Sequence, residues 1–180
     1  ILVNLKEDKA SLVEIVGDFE EAIESSKKIL SFRTAGSSLD SLQYWLADIV
    51  QFNRFQPLTN SYELLKSNGL DNLSNKELTF LLGKYYDDRS FKAERSIRDI
   101  EISFNSDWIP LLKEEIQEVI YKEKIVITNW DILIRTNGRA RNLIILNKDN
   151  YLGGLYQIRE TLVNLEELIQ MIENEIITVK

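Results

Sequence analysis

The sequence predicts an all-α protein, an elongated antiparallel helical bundle in which long N- and C-terminal helices pack together and shorter helices lie between them. The first observation behind this prediction is an apolar stripe near the end of the chain, where aliphatic residues recur at alternating spacings of three and four. The stripe consists of Leu155, Ile158, Leu162, Leu165, Ile169, Ile172 and Ile176. A helix with such a stripe needs a partner helix of similar length to cover it.

The second observation is a matching pattern at the start of the chain. Over residues 1–33 apolar side chains follow the same spacing, and Lys9 and Ser26 interrupt the seam. The simplest arrangement that buries both stripes pairs the first and last helices along their lengths.

The composition indicates one folded domain over residues 1–180, because 44% of the residues are hydrophobic and 28% are charged. The net charge of −7 argues against a nucleic-acid interface, which needs a concentrated basic face. The chain has no histidine and no cysteine, so it lacks Ser-His and Cys-His nucleophile pairs and the usual zinc ligands. We therefore expect no catalytic residues, no metal and no cofactor, and a protein that is not an enzyme.

Capping signals divide the chain after the first helix. Residues 34–38 are expected to end that helix, with Gly36 at its C-terminal turn and Ser38 as the next N-cap. A second helix is then expected over residues 39–52. A capping box of Asn60 and Glu63 opens a short helix, which the pair Asn68-Gly69 closes.

A longer helix is predicted to start at a second capping box over residues 74–77 and to reach Phe104. Its polar middle, residues 87–92, could bend it. Asp107 is expected to cap the following helix, because Pro110 is tolerated only in a first helical turn.

The remaining chain up to the closing stripe is also interpreted as helical. Residues 125–128 are rich in β-branched side chains, which favour strands, but we interpret them as helix because no partner strand is evident. Asn137 is expected to cap the last helix. Either Asp149-Asn150 or Gly153-Gly154 could kink it before the stripe begins.

The best candidate site is a group of three arginines around the predicted helix start at Asn137-Gly138, namely Arg135, Arg139 and Arg141. Guanidinium groups beside the backbone N–H groups of a helix N-terminus could hold a carboxylate, a phosphate or an acidic partner. The alternative, which we favour, is that these arginines pair with the acidic excess on neighbouring helices.

Two further groups are expected to be structural. The basic residues Lys84, Arg89, Lys92, Arg95 and Arg98 alternate with acidic residues, which is typical of a salt-bridged helix face. Most of the tryptophans and tyrosines fall at helical spacing, which favours a place in the core over a ligand pocket.

Several segments resemble a family of uncharacterised single-span membrane proteins of Bacteroidota, known only as a domain of unknown function. The resemblance rests on Leu2 to Asp8, Phe55 to Gly69, Asn75 to Leu78, Tyr85-Tyr86 and Arg141-Asn142. It implies that a transmembrane helix preceded Ile1 and that this helical domain lies in the periplasm. It supplies no catalytic residue.

Together these observations predict a non-enzymatic extracytoplasmic sensor, scaffold or partner-binding domain of a protein anchored in the inner membrane. Its partners would be proteins or a second copy, joined through coiled-coil-like stripes. The alternative is a soluble cytoplasmic adaptor bundle, and an enzyme is the third class.

Overall fold

The computed structural model describes residues 1–33 and 39–178, and it confirms the predicted helical bundle. The expected cap positions Gly36 and Ser38 lie outside these residues. The helices are α1 (Leu2–Ser31), α2 (Asp40–Val50), α3 (Asn60–Ser67), α4 (Lys76–Gly83), α5 (Ser90–Ser103), α6 (Ile109–Leu112), α7 (Asp131–Ile134) and α8 (Arg139–Thr178). Two strands, β1 (Ile116–Ile120) and β2 (Lys124–Ile127), lie between α6 and α7.

The chain forms two compact units, to each of which α1 and α8 contribute. The first unit comprises Ile1–Val16, Phe55–Ser96 and the chain from Tyr156 onward. The second comprises Gly17–Arg54 and Ile97–Leu155.

The predicted pairing of the two long helices is confirmed. In the first unit, Lys6 and Lys9 of α1 form ion pairs of 2.6 and 2.9 Å with Glu173 and Glu166 of α8. The order of these partners shows that the two helices run antiparallel. The apolar seam beneath them is buried at Leu5, Leu12, Ile158, Leu165 and Leu168.

The two expected flaws in the α1 seam are accommodated. Lys9 is half-buried and pairs with Glu166, so its ammonium stays at the edge of the seam. Ser26 is fully buried, and its hydroxyl donates a 2.7 Å hydrogen bond to the carbonyl of Ala22 one turn earlier. The α8 stripe ends sooner than predicted, because Ile176 is exposed.

The shorter helices follow the capping signals with small shifts. The helix α3 begins at Asn60, but its N-cap is Thr59 and no side chain caps it, so the predicted capping box with Glu63 is wrong. Its closure at Asn68-Gly69 is confirmed, and Gly69 has a φ of 96°, a conformation that favours glycine. The next N-cap is Asn75, one residue after the expected serine, and its side chain accepts a 3.0 Å hydrogen bond from the Leu78 N–H.

Two π-helical segments join the helices that follow. Lys84–Arg89 connects α4 to α5 and overlaps the predicted bend, and Phe104–Trp108 connects α5 to α6. Asp107 lies inside the second segment, so its prediction as an N-cap is wrong. Pro110 lies two residues after this segment ends at Trp108. The wider π-helical turn accommodates proline, which lacks an N–H and would clash with the carbonyl four positions earlier in an α-helix.

Residues 116–127 form an antiparallel β-hairpin, so the predicted helix over 125–128 is wrong. Val119 lies opposite Ile125, and Ile125 and Ile127 are buried where β2 packs against α2. The partner of β2 is β1, and the apolar residues of β1 also fit a short helical pattern, so the sequence did not mark it as a strand. Both segments contain β-branched residues, which favour strands. In the hairpin, alternate residues of β2 are buried, whereas β1 is largely exposed.

The helix α8 continues without interruption through both expected kink positions. Gly154 instead permits a close helix crossing in the second unit, because a Cβ added there would lie 2.7 Å from Cε2 of Phe19. Among the described helices, none combines the length and the apolar character needed to cross a bilayer.

Candidate functional site

An apolar pocket lies in the second unit. It has a volume of about 140 Å³ and lies between the end of α2, the π-helical segment before α6 and the hairpin. Its principal lining residues are Val50, Phe52, Phe104, Val119, Ile120 and Ile125.

The floor of the pocket is held by aromatic packing and by charges at its edge. The rings of Phe52 and Phe104 lie 4.8 Å apart between centroids, and the Arg54 guanidinium lies 5.4 Å from the Phe52 ring centroid. Arg54 also donates hydrogen bonds of 2.6 and 3.0 Å to Glu101. These hydrogen bonds lower the pKa of the Glu101 carboxyl and keep it ionised.

A tyrosine of α8 fixes the end of α2 beside this floor. The buried hydroxyl of Tyr151 lies 3.1 Å from the Gln51 carbonyl and 3.4 Å from that of Ile49. Those carbonyls belong to the last turn of α2 and the residue after it, where a helix leaves acceptors without internal partners. Burial raises the pKa of Tyr151, so its hydroxyl remains a donor at neutral pH.

The hairpin forms the roof of the pocket. At its turn Lys122 has a φ of 57°, and its ammonium lies 2.7 Å from the Asp18 carboxylate of α1. The Lys122 and Asp18 side chains are 27% and 17% exposed, and this ion pair connects the turn to α1. Across the hairpin, a hydrogen bond to Glu118 raises the pKa of Lys124.

Two exposed apolar side chains stand at the mouth of the pocket. Val119 is 54% exposed and Tyr121 is 74% exposed, although both belong to the wall. Small-molecule sites occupy about 300–1,000 Å³ and contain several convergent polar groups. This pocket is smaller and lined almost entirely by carbon, so it suits the insertion of one aliphatic or aromatic side chain.

The three predicted arginines have different surroundings in the structure. Arg141 is half-buried, and its guanidinium donates a 3.0 Å hydrogen bond to the Leu30 carbonyl in the last turn of α1. The contact gives a carbonyl at the C-terminus of α1 a cationic hydrogen-bond donor, so the role of Arg141 is structural. Arg135 and Arg139 are exposed, and Arg135 lines an open depression of about 450 Å³ with Asp131 and Asn137.

A network formed by Asp8 and three tyrosines lies in the first unit. The buried Asp8 carboxylate accepts hydrogen bonds of 2.7 Å from the Tyr85 hydroxyl and 3.2 Å from the Leu58 N–H. The Tyr62 ring stacks on Tyr86 with 4.4 Å between centroids. Burial raises the pKa of Asp8 and of all three tyrosines.

This network connects α1, the segment before α3 and the first π-helical segment. The Asp8 carboxyl and the three tyrosines are buried, and the hydroxyl of Tyr86 has no hydrogen-bond partner among the described residues. A buried carboxylate with two fixed donors specifies one arrangement of these segments. We therefore assign it a structural role.

The other sequence-predicted groups also have structural roles. Within the basic run, Lys92 forms a 2.8 Å ion pair with Asp88, and Arg89 reaches Glu160 of α8 at 3.5 Å. Most of the aromatic residues are buried or half-buried, which confirms their placement in the core, whereas Tyr44 is exposed. In the described part of the chain no group of three or more acidic residues could hold a metal ion.

The pocket was missed because the hairpin was interpreted as helix. Its floor residues Phe52 and Phe104 were expected near helix ends, but nothing in the pattern placed them side by side. The available signal was the pair of β-branched runs at 116–120 and 125–128, separated by a short charged turn.

Comparison with models of known protein families, with curated protein sequences and with solved structures gives no match.

Proposed function

We propose that this chain is a non-catalytic partner-binding domain that receives an apolar side chain of a protein partner in the pocket of the second unit. The observation that carries the proposal is a lined apolar pocket that remains open beneath a fixed hairpin roof. Its floor and roof are held by the Phe52–Phe104 contact and the Lys122–Asp18 ion pair. A pocket held in this way needs little rearrangement on binding, so less affinity is lost to ordering.

The residues around the pocket favour a protein over a small solute. The exposed Val119 and Tyr121 extend the apolar surface beyond the pocket, while the lining residue Lys122 and the Arg54 guanidinium over the Phe52 ring bring positive charge to its edge. An apolar centre with a polar rim is the common anatomy of protein interfaces. Aromatic and aliphatic anchors in such pockets supply most of the binding energy.

The proposal can be tested with a random peptide library displayed on phage and selected on the wild-type protein. We expect the enriched peptides to share an aliphatic or aromatic anchor. They should lose binding to a Val119→Asp variant, which places a carboxylate at the pocket mouth. The matched control is Val13→Asp on α1, because the two valines are similarly exposed at 54% and 52%.

Equal binding to both variants, or enrichment of peptides without an apolar residue, would overturn the proposal. Circular dichroism of both variants checks that the fold is retained.

We place this binding domain outside the cytoplasm, on an inner-membrane anchor, as the family resemblance implies. A soluble cytoplasmic adaptor is the alternative location for the same binding function. The full-length gene distinguishes them, since an apolar stretch of about 20 residues directly before Ile1 is expected for the anchored protein. A gene in which no such stretch precedes Ile1 would contradict the anchor and leave the pocket test unaffected.

A further inference from the structure

We infer that the partner binds as an extended segment, which adds a third strand to the free edge of β1. This inference rests on the proposed binding function of the pocket, and it specifies the kind of chain that the pocket receives.

The first observation is that β1 has an unpaired edge. The described sheet contains only β1 and β2, so β1 pairs on one side only. All of its residues from Gln117 to Ile120 are exposed, which leaves room for a further strand. Edge strands are commonly protected by lysine or proline, and β1 contains neither.

The second observation identifies the backbone groups on this edge. At the turn, the Glu123 N–H donates a 3.0 Å hydrogen bond to the Ile120 carbonyl, so the backbone of Ile120 faces β2. Successive residues of an antiparallel strand direct their N–H and C=O groups to opposite sides, and those of Val119 therefore face away from β2. This outward donor and acceptor match those of an extended chain. A helical partner cannot pair with them, because its own backbone groups are already bonded within the helix.

The third observation connects the edge to the pocket. Val119 lies opposite Ile125 in the hairpin, and both residues line the pocket. Side chains directly opposite each other in adjacent strands lie on the same face of the sheet. The residue of the added strand beside Val119 therefore directs its side chain to the pocket side of the hairpin. In strand addition, main-chain hydrogen bonds supply affinity and pockets for alternate side chains supply specificity.

A bulge limits the length of the added strand. The register of the hairpin shifts between Ile116 and Glu118, and a bulge disrupts the ladder locally. The added strand therefore pairs mainly with the part of β1 that follows the bulge. Because so short a pairing makes few hydrogen bonds, the side chain in the pocket supplies most of the affinity.

N-methylation of bound peptides tests the inference on the wild-type protein. The peptides are those selected on the pocket that lose binding to Val119→Asp, and each is made with a methyl group on one backbone nitrogen at a time. In an added strand every second N–H points to β1, where a methyl group removes the donor and blocks the approach of strands about 4.8 Å apart. Fluorescence anisotropy should show at least about a tenfold loss of affinity at those alternating positions. The positions between them are the matched controls and should change by less than about twofold.

Amide hydrogen exchange of the protein, measured by NMR, supplies an independent readout. The peptide should slow the exchange of the outward-facing Val119 N–H at least about tenfold. The Ile120 N–H faces β2 with or without the peptide, so its exchange should change much less.

The outcomes separate this inference from the pocket proposal. Equal tolerance of every methyl group, loss of affinity at every internal position as a bound helix would show, or unchanged exchange at Val119 would overturn strand addition and leave the pocket proposal intact. A selection that yields no apolar anchor would overturn both. Exchange at Val119 that slows with rising protein concentration in the absence of peptide would assign the edge to a second copy of the chain, and would overturn the inference of a partner strand.

Discussion

At the scale of single residues, Gly154 shows how a local sequence feature can have a tertiary cause. The sequence favoured a kink at the two adjacent glycines, since glycine weakens helices. In the structure the helix is continuous, and the absence of a side chain at Gly154 makes room for Phe19. No periodicity argument predicts this contact, because it depends on which residue of another helix lies opposite.

We therefore expect Gly154→Ala to destabilise the protein by about 1–3 kcal/mol, because its Cβ would overlap the buried Phe19 ring. The neighbouring Gly153 has open space where its Cβ would be, so Gly153→Ala should stabilise the helix by up to about 1 kcal/mol. Urea unfolding of both variants measures the difference. Equal effects at the two positions would show that helix propensity alone matters here.

Asp8 gives a prediction for pH. Burial raises its folded-state pKa above the ordinary value of 3.8, so the folded state binds the proton more readily than the unfolded chain. The stability that protonation contributes is fully present below 3.8 and is lost as the pH rises through the raised pKa. Wild-type protein should thus gain stability relative to Asp8→Asn as the pH falls from neutral.

Urea unfolding of the wild type and Asp8→Asn at several pH values measures this gain. Glu21→Gln removes one negative charge at an exposed position of α1 and serves as the control. If the difference between the wild type and Asp8→Asn does not change with pH, the buried carboxyl does not titrate as described.

At the scale of elements, the sequence located the ends of α1, α2 and α3 to within one or two residues but assigned the caps less well. Ser74 and Asn75 are both good N-cap residues, and composition does not choose between them. The structure assigns the cap to Asn75, whose side chain accepts the Leu78 N–H and whose amide donates to Glu175 of α8. The choice thus depends on a helix that is distant in sequence.

Asn75→Ala should cost about 1 kcal/mol, because α4 loses its side-chain cap. Ser74→Ala should change stability by less than about 0.5 kcal/mol. Thermal or urea unfolding of the pair compares the two positions directly. A larger loss for the serine variant would mean that the helix begins one residue earlier.

Among the elements of the described residues, the hairpin is the one whose predicted type was wrong. Each of its β-branched runs alone was too short to distinguish strand from helix, and each becomes a strand only because the other pairs with it. That pairing also creates the pocket, so the candidate site could not be predicted without it. The long helices were predictable because their stripes persist over many turns.

At the scale of the whole molecule, the two long helices matter most, because each contributes to both compact units. All three tryptophans, at positions 45, 108 and 130, belong to the second unit. Tryptophan fluorescence therefore reports on the second unit, while circular dichroism reports on helices throughout the described chain. The shared helices lead us to expect a single cooperative transition with the same midpoint by both methods.

A core substitution in the first unit tests this cooperativity most sharply. Leu12 is fully buried in the α1 seam, so Leu12→Ala should cost about 2–5 kcal/mol. Because α1 continues into the second unit, the tryptophan transition should shift as far as the circular dichroism transition. Val13→Ala, at the exposed neighbouring position, should shift neither by much. A tryptophan midpoint that stays at the wild-type value in Leu12→Ala would show that the two units unfold independently despite their common helices.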